Sequence, residues 1–288
     1  MKLQLQYLAT YLTVAVFFSA CQKNINHPQP ESEAPVAAYA NVNRESNTVG
    51  HVYLLSNAVA GNKVMTYSRS ADGTLEYSAS YATGGNGTGG GLGNQGAVIF
   101  AYEKSVLLAV NAGSNSISSF TISDQGLTLV STVSSGGMRP VSLANYNNLV
   151  YVLNAGGVNN ISGFHLMDNG ILQPIASSSK LLTSASTGPA QISFLNEGKV
   201  LVVTEKATNK IVTYTVNDQG LATMMQSITS SSPTPFGFAV GKNSNVFVSE
   251  AVGGAPGASV LSSYNIGYNG SITLVDGSVG AGQTAACW

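Results

Sequence analysis

The stretch Leu149–Leu172, LVYVLNAGGVNNISGFHLMDNGIL, reads as a β-strand, an Asn/Gly loop, a second strand, an Asp168-Asn169-Gly170 turn and the start of a third strand. The first run is continuously apolar, and in the second His165 alternates with Phe164 and Leu166. Asp168 and Gly170 supply a turn that tolerates positive φ, so the second strand and the third fold back as a hairpin. The same unit recurs in both directions along the chain. Its turn glycines, Gly73, Gly126, Gly170, Gly220 and Gly270, recur every 44–53 residues. Four short strands at that period predict β-propeller blades. A β-sandwich is the competing all-β solution, but its strands do not come in repeated sets of four.

Outward from that unit, the second copy predicts strands at Val98–Tyr102, Val106–Asn111, Ser116–Ser123 and Leu127–Ser134. The third predicts Val141–Tyr146, Leu149–Asn154, Ile161–Met167 and Leu172–Ser178. The fourth predicts Gln191–Leu195, Val200–Thr204, Lys210–Asn217 and Ala222–Thr229. The fifth predicts Phe236–Val240, Val246–Ser249, Ser259–Ile266 and Ile272–Asp276. The first copy, His51–Asn57, Lys63–Ser70 and Leu75–Thr83, lacks an innermost strand. The segment Thr284–Trp288 stands where earlier copies begin a blade. The pattern therefore reads as about five blades of an incomplete ring, with open edges through which the chain is expected to self-associate.

Composition agrees with many short strands. Of 288 residues only 9% are charged, against about 25% in a typical soluble domain, and 32 are glycine. The net charge of −1, with no basic run, excludes the electrostatic footprint of a nucleic-acid binder. Cys21 and Cys287 are too few for a disulfide framework, and Cys287 reads as a small buried residue. His27, His51 and His165 cluster neither with one another nor with cysteine, so no metal site is readable. No cofactor motif appears either. The glycine-rich run Gly84–Gly96 lacks a Lys-Ser/Thr pair and precedes a strand, which excludes a phosphate-binding P-loop. It reads instead as backbone crossing close to the propeller axis, with Gln95 pointing inward.

The N-terminus reads as an address. Lys2 leads into the apolar run Tyr11–Phe18, which is short for a membrane span. Phe18-Ser19-Ala20-Cys21 resembles a bacterial lipoprotein lipobox, which implies cleavage before Cys21, its acylation, and anchoring to a bacterial membrane facing the periplasm or exterior. An ordinary signal peptide, or a signal anchor, with an incidental cysteine is the alternative. The organisation expected is a leader over 1–20, a polar, proline-bearing tether over 21–48 and the incomplete propeller over 49–288.

Several segments carry a family resemblance. Gly90-Gly-Leu-Gly-Asn-Gln-Gly96, Val110-Asn-Ala-Gly113, Leu149–Gly156, Gly188-Pro-Ala-Gln-Ile-Ser-Phe194, Val202-Val-Thr-Glu-Lys206, Thr234-Pro-Phe-Gly-Phe238 and Gly282-Gln-Thr-Ala-Ala-Cys-Trp288 resemble the lactonase-family seven-bladed β-propellers. That group includes 6-phosphogluconolactonase and 3-carboxymuconate cyclase-like proteins. The resemblance spans about residue 50 to the last residue. It implies that about two further blades would follow, and that a lactone of an acidic sugar or carboxylic acid is hydrolysed or formed. The family's His, Arg and Glu sit around the channel top. Here Pro189-Ala190-Gln191 stands where the Arg and His are expected, and Val141 lies near the place of an inner-strand His. Glu205 matches the family Glu.

Glu205 and Glu250 both follow a second strand, where Ala112 and Ala155 are read as the equivalent places in earlier copies. Glu205 is the expected general base or water-orienting group. Glu250, Arg139, Gln191 and Gln95 are the expected ligand contacts, and Lys206 reads as a solvated neighbour. The competing reading is a non-catalytic ligand- or protein-binding propeller at the cell envelope, which the missing His and Arg favour.

Overall fold

A computed structural model describes residues 48–287; the expected leader, Cys21 and most of the tether lie outside the described residues. The described chain is all-β, with five antiparallel sheets laid down in chain order. Blade 1 has β1 (Thr48–Leu55), β2 (Lys63–Ser70) and β3 (Leu75–Ala82). Blade 2 has β4 (Val98–Ala101), β5 (Val106–Asn111), β6 (Ser116–Ser123) and β7 (Gly126–Ser134). Blade 3 has β8 (Met138–Tyr146), β9 (Leu149–Gly156), β10 (Asn160–Leu166), β11 (Leu172–Pro174) and β12 (Lys180–Leu181). Blade 4 has β13 (Pro189–Leu195), β14 (Val200–Glu205), β15 (Lys210–Val216) and β16 (Ala222–Thr229). Blade 5 has β17 (Pro235–Val240), β18 (Asn245–Glu250), β19 (Val260–Ile266) and β20 (Ile272–Gly280).

Each four-stranded sheet keeps sequence order, as a propeller blade does. The first strands of neighbouring blades, β4, β8, β13 and β17, touch in succession and so mark the axis side. Among the described residues no sheet joins strands of the first and fifth blades, and the ring is incomplete. At the far end Gly237 N–H donates to the Cys287 carbonyl at 2.7 Å, placing the last described residues beside the inner strand of blade 5.

One strand departs from the sequence pattern. The alternation reads Leu172–Ser178 as a single outer strand, but the run breaks after Pro174, and β11 and β12 pair separately with β10. Pro174 has no N–H to extend the ladder, and Ser177 takes φ 61°. The hydroxyl of Ser178 instead accepts from Gly163 N–H at 3.0 Å.

The core lies between blades. One cluster joins Tyr151, Leu153 and Ile161 of blade 3 to Leu201, Val203 and Tyr214 of blade 4. Another joins Leu108 and Val110 of blade 2 to Val150, Val152 and Phe164 of blade 3. A third joins Val200, Val202 and Ile211 to Phe238, Val246 and Tyr264 of blade 5. A single sheet has two faces to cover, and its neighbours cover them.

The turn glycines fix how neighbouring blades meet. Ser119 Oγ donates to the Gly170 carbonyl at 2.6 Å, Tyr151 Oη to the Gly220 carbonyl at 2.8 Å, and Thr213 Oγ1 to the Gly270 carbonyl at 2.6 Å. Each turn is thus seated by a side chain of the preceding blade. Gly220 has φ 75°, and a Cβ there would lie 2.9 Å from Leu149 Cδ1. Gly220→Ala should therefore cost ~1–3 kcal/mol from the left-handed backbone alone. Urea denaturation measures it, and an unchanged midpoint would refute this role for the turn.

Candidate functional site

One rim of the propeller lies where each second strand ends and the next blade's crossing enters its first strand. Backbone pairing sets the register between blades. Pro140 faces Asn154, Pro189 faces Glu205, and Pro235 faces Glu250. The pairing makes Asn154, Glu205 and Glu250 equivalent, and Asn111 ends β5 as Glu205 ends β14 and Glu250 ends β18. The sequence alignment of Glu205 with Ala112 and Ala155 is thus one residue out. The true equivalents are Asn111 and Asn154, and those alanines are equivalent to Lys206.

Both carboxylates are fully buried. Glu205 accepts from Thr183 N–H at 3.0 Å, from the Thr183 hydroxyl, and from the Thr208 hydroxyl at 2.5 Å. Glu250 accepts from Ser230 Oγ and Ser262 Oγ at 2.5 Å each, from Ser232 N–H at 3.1 Å and from Tyr264 Oη at 3.3 Å. Thr183, Ser230 and Ser232 lie on the crossings that enter blades 4 and 5. A carboxylate accepts only, and here it meets donors. Asn154 does the complementary work in blade 3, where its Nδ2 donates to the Ser135 carbonyl at 3.2 Å. The phenol of Tyr214 is pushed up by burial, with the Glu205 charge adding to the effect.

Gln191 is also engaged. Its Nε2 donates to the Phe238 carbonyl at 3.0 Å, and its Oε1 accepts from Phe238 N–H at 2.8 Å, so it brackets β13 to β17. The glycine-rich crossing reaches blade 4, because Gln95 N–H donates to the Ala190 carbonyl at 3.3 Å. The Gln95 side chain itself is exposed.

Lys206 behaves unlike the solvated neighbour expected from sequence. It is half-buried, its Nζ donates to the Gly93 carbonyl at 2.6 Å, and the ammonium lies 4.4 Å from the Phe236 ring centroid. Burial pushes the ammonium down to about 8, and the Arg139 guanidinium adds to the shift. Lys199–Asp218 is the ion pair found among the described residues, and Lys206 has no carboxylate partner among them. The equivalent positions hold Ala112, Ala155 and Ala251. A long cation thus replaces a methyl in one blade, beside the axis.

Arg139 is exposed and sits just before Pro140 with φ 52°. Asn115 Oδ1 accepts from its N–H at 2.8 Å and holds the turn. Gly188 (φ 57°) and Thr234 (φ 64°) take the same conformation before Pro189 and Pro235. Glycine adopts it without penalty, whereas a side chain costs ~1–2 kcal/mol. Arginine is therefore kept where glycine would be easier. Strain of this kind collects at binding sites. Sequence reasoning misses Lys206 because its depth depends on Gly93 and Phe236, which are distant along the chain. The one local signal is a lone lysine in a register where other blades carry alanine.

Among the described residues no group of three or more His, Cys, Asp or Glu is placed to hold a metal ion.

No protein-family sequence model matches the chain, and no curated protein matches it. Solved structures do match. A Bacteroides uniformis protein provisionally named 6-phosphogluconolactonase is 14% identical, covering 78% of this chain and 67% of its own, with TM-score 0.60. A Pseudomonas aeruginosa periplasmic gluconolactonase is 16% identical over 81% of this chain and 68% of its own, with TM-score 0.60. A Lactobacillus plantarum protein is 17% identical over 82% and 70%, with TM-score 0.62. The class defined is therefore an all-β propeller with the fold of lactonase-type proteins. The chain spans about two thirds of the length of these structures.

Two substitutions separate scaffold from site. Glu205→Leu leaves the Thr183 N–H and two hydroxyls without an acceptor, and should destabilise by ~1–3 kcal/mol for each donor that water cannot reach. Arg139→Gly should leave stability within ~1 kcal/mol of the parent, because relief of strain offsets the looser unfolded chain. Thermal unfolding of both checks this, and an Arg139→Gly loss as large as that of Glu205→Leu would make Arg139 structural.

Proposed function

We propose that the protein is an extracytoplasmic, lactonase-like propeller that binds an acidic sugar or carboxylic acid, or a lactone of one, at the rim formed by Lys206 and Arg139. The observation that carries this reading is the half-buried Lys206 ammonium with no carboxylate partner among the described residues. A charge withdrawn from water is costly unless paired, and an anionic ligand would supply the missing charge. Arg139 offers a planar fork suited to a carboxylate or phosphate. The fold shared with proteins named as lactonases supports the choice of ligand class.

If the ligand is a lactone, Lys206 and Arg139 are the groups to stabilise charge developing on its carbonyl oxygen. Glu205 is a base in this scheme only if its Thr183 and Thr208 bonds release it. The burial of Glu205 and Glu250 accordingly favours a second reading, a non-catalytic propeller that binds the acid without turning it over. The lipobox-like segment supports anchoring through Cys21 to a bacterial membrane, and Cys21→Ser would then abolish incorporation of labelled fatty acid.

A panel of sugar-acid lactones and their open acids, assayed for turnover and by calorimetry, tests the readings. Binding with turnover that Glu205→Gln abolishes supports the enzyme; binding without turnover supports the second reading. Lys206→Met should weaken binding at least tenfold, and a panel that does not bind would defeat both. The pH dependence has a definite sign. Lys206 must be protonated to attract an anion, so affinity should fall as pH rises through about 8. Because the folded protein holds this proton less tightly than the unfolded chain, stability should rise between about pH 8 and the ordinary lysine range.

A further inference from the structure

The opposite rim, where first strands turn into second strands, carries two adjoining cavities whose linings include neither Lys206 nor Arg139. One, of about 690 Å³, is lined by the β4–β5 turn with Tyr102 and Glu103, the β8–β9 turn with Asn147 and Asn148, and Asp168. The other, of about 220 Å³, shares Asn147 and Asn148 and continues along Tyr146, Lys199 and Asp218. Together they form a groove that runs from blade 2 across blade 3 to blade 4.

Three properties define what would fit. First, the groove repeats. Each half has a tyrosine at a first-to-second strand turn and an aspartate at the third-to-fourth strand turn of the next blade, Tyr102 with Asp168 and Tyr146 with Asp218. Second, both rings are held in place while remaining open. Tyr102 Oη donates to Asp168 Oδ1 at 2.6 Å. The Tyr146 ring lies against Gly198, where a Cβ would be 2.3 Å from Cδ1. Their exposures are 38% and 37%. Third, the remaining lining is mostly amide, hydroxyl and carboxylate, and the carboxylates of Glu103, Asp168, Glu197 and Asp218 outnumber the basic Lys199 and His165. Amides and carboxylates bond vicinal hydroxyls, and a fixed aromatic face covers an apolar sugar face at little entropic cost. The charge balance disfavours a polyanion.

We propose that this groove binds a neutral oligosaccharide, with successive sugar units on Tyr102 and Tyr146. The site is independent of Lys206 and Arg139, and either can fail without the other. Calorimetry on the full chain with maltohexaose, cellohexaose and chitohexaose tests it, with a heparin hexasaccharide and hexalysine as the acidic and peptide arms. The expected result is that at least one neutral hexaose binds at least tenfold tighter than its monosaccharide. Tyr102→Ala and Tyr146→Ala should each weaken it at least tenfold, and a sugar-acid ligand at the other rim should bind these variants as it binds the parent. Tyr102→Phe, which keeps the ring and frees Asp168, serves if Tyr102→Ala does not fold, with a loss of at least threefold expected. The proposal is overturned if no neutral hexaose binds, if chain length does not matter, if the tyrosine variants bind normally, or if heparin or hexalysine binds in place of the neutral sugars.

Discussion

The structure depends on satisfying the peptide groups of the crossings between blades. Each crossing leaves an outer strand and dives toward the axis, where its N–H and C=O groups lose water before they reach a new sheet. Side chains of the blades receive them. Asn115, Asn159 and Asn209 accept from the N–H groups of Arg139, Thr187 and Thr234, and Ser259 accepts from Ala286. At the second-strand ends the side chain matches the polarity it meets. Where the crossing turns a carbonyl inward, as at Ser135, the residue is Asn154 with Ser162 beside it. Where it turns N–H and hydroxyl donors inward, the residue is Glu205 or Glu250. The distribution of asparagine and glutamate over the blades thus has a hydrogen-bonding cause, before any question of catalysis.

That constraint changes what a register-matched carboxylate means. Rarity and repetition make Glu205 and Glu250 conspicuous in a chain so poor in charge, and the fold does set both apart. They are set apart as acceptors inside it, with several donors each and no exposed face. A buried carboxylate so engaged is costly to free, and any chemical role must include that cost.

Most of the architecture was legible because it is written many times over. Lys63–Ser70, Val106–Asn111, Ser116–Ser123 and Ala222–Thr229 have in the structure the bounds the repeat implies, and the turn glycines set the period. The exception is Leu172–Ser178, where Pro174 interrupts pairing in a way the apolar pattern alone cannot detect. The site was less legible, for two reasons. Asn-Ala-Gly and Glu-Lys-Ala endings align in either of two registers, and a slip of one residue exchanges the two faces of the strand. The surroundings of Lys206, moreover, come from Gly93 and Phe236, on a crossing and a blade that no local pattern connects to it.

With the register corrected, the departures from the repeat point in one direction. Lys206 stands where three other blades hold alanine, and Arg139 stands in a conformation that Gly188 adopts freely. The lysine forfeits hydration, and the arginine, like Thr234, accepts backbone strain that Gly188 avoids. Both changes add positive charge, and Arg139 is near enough to act on the Lys206 ammonium. A half-buried lysine on which an arginine's charge acts makes physical sense if a negative group joins them. The repeat therefore supplies the baseline against which the proposed anion-binding rim stands out.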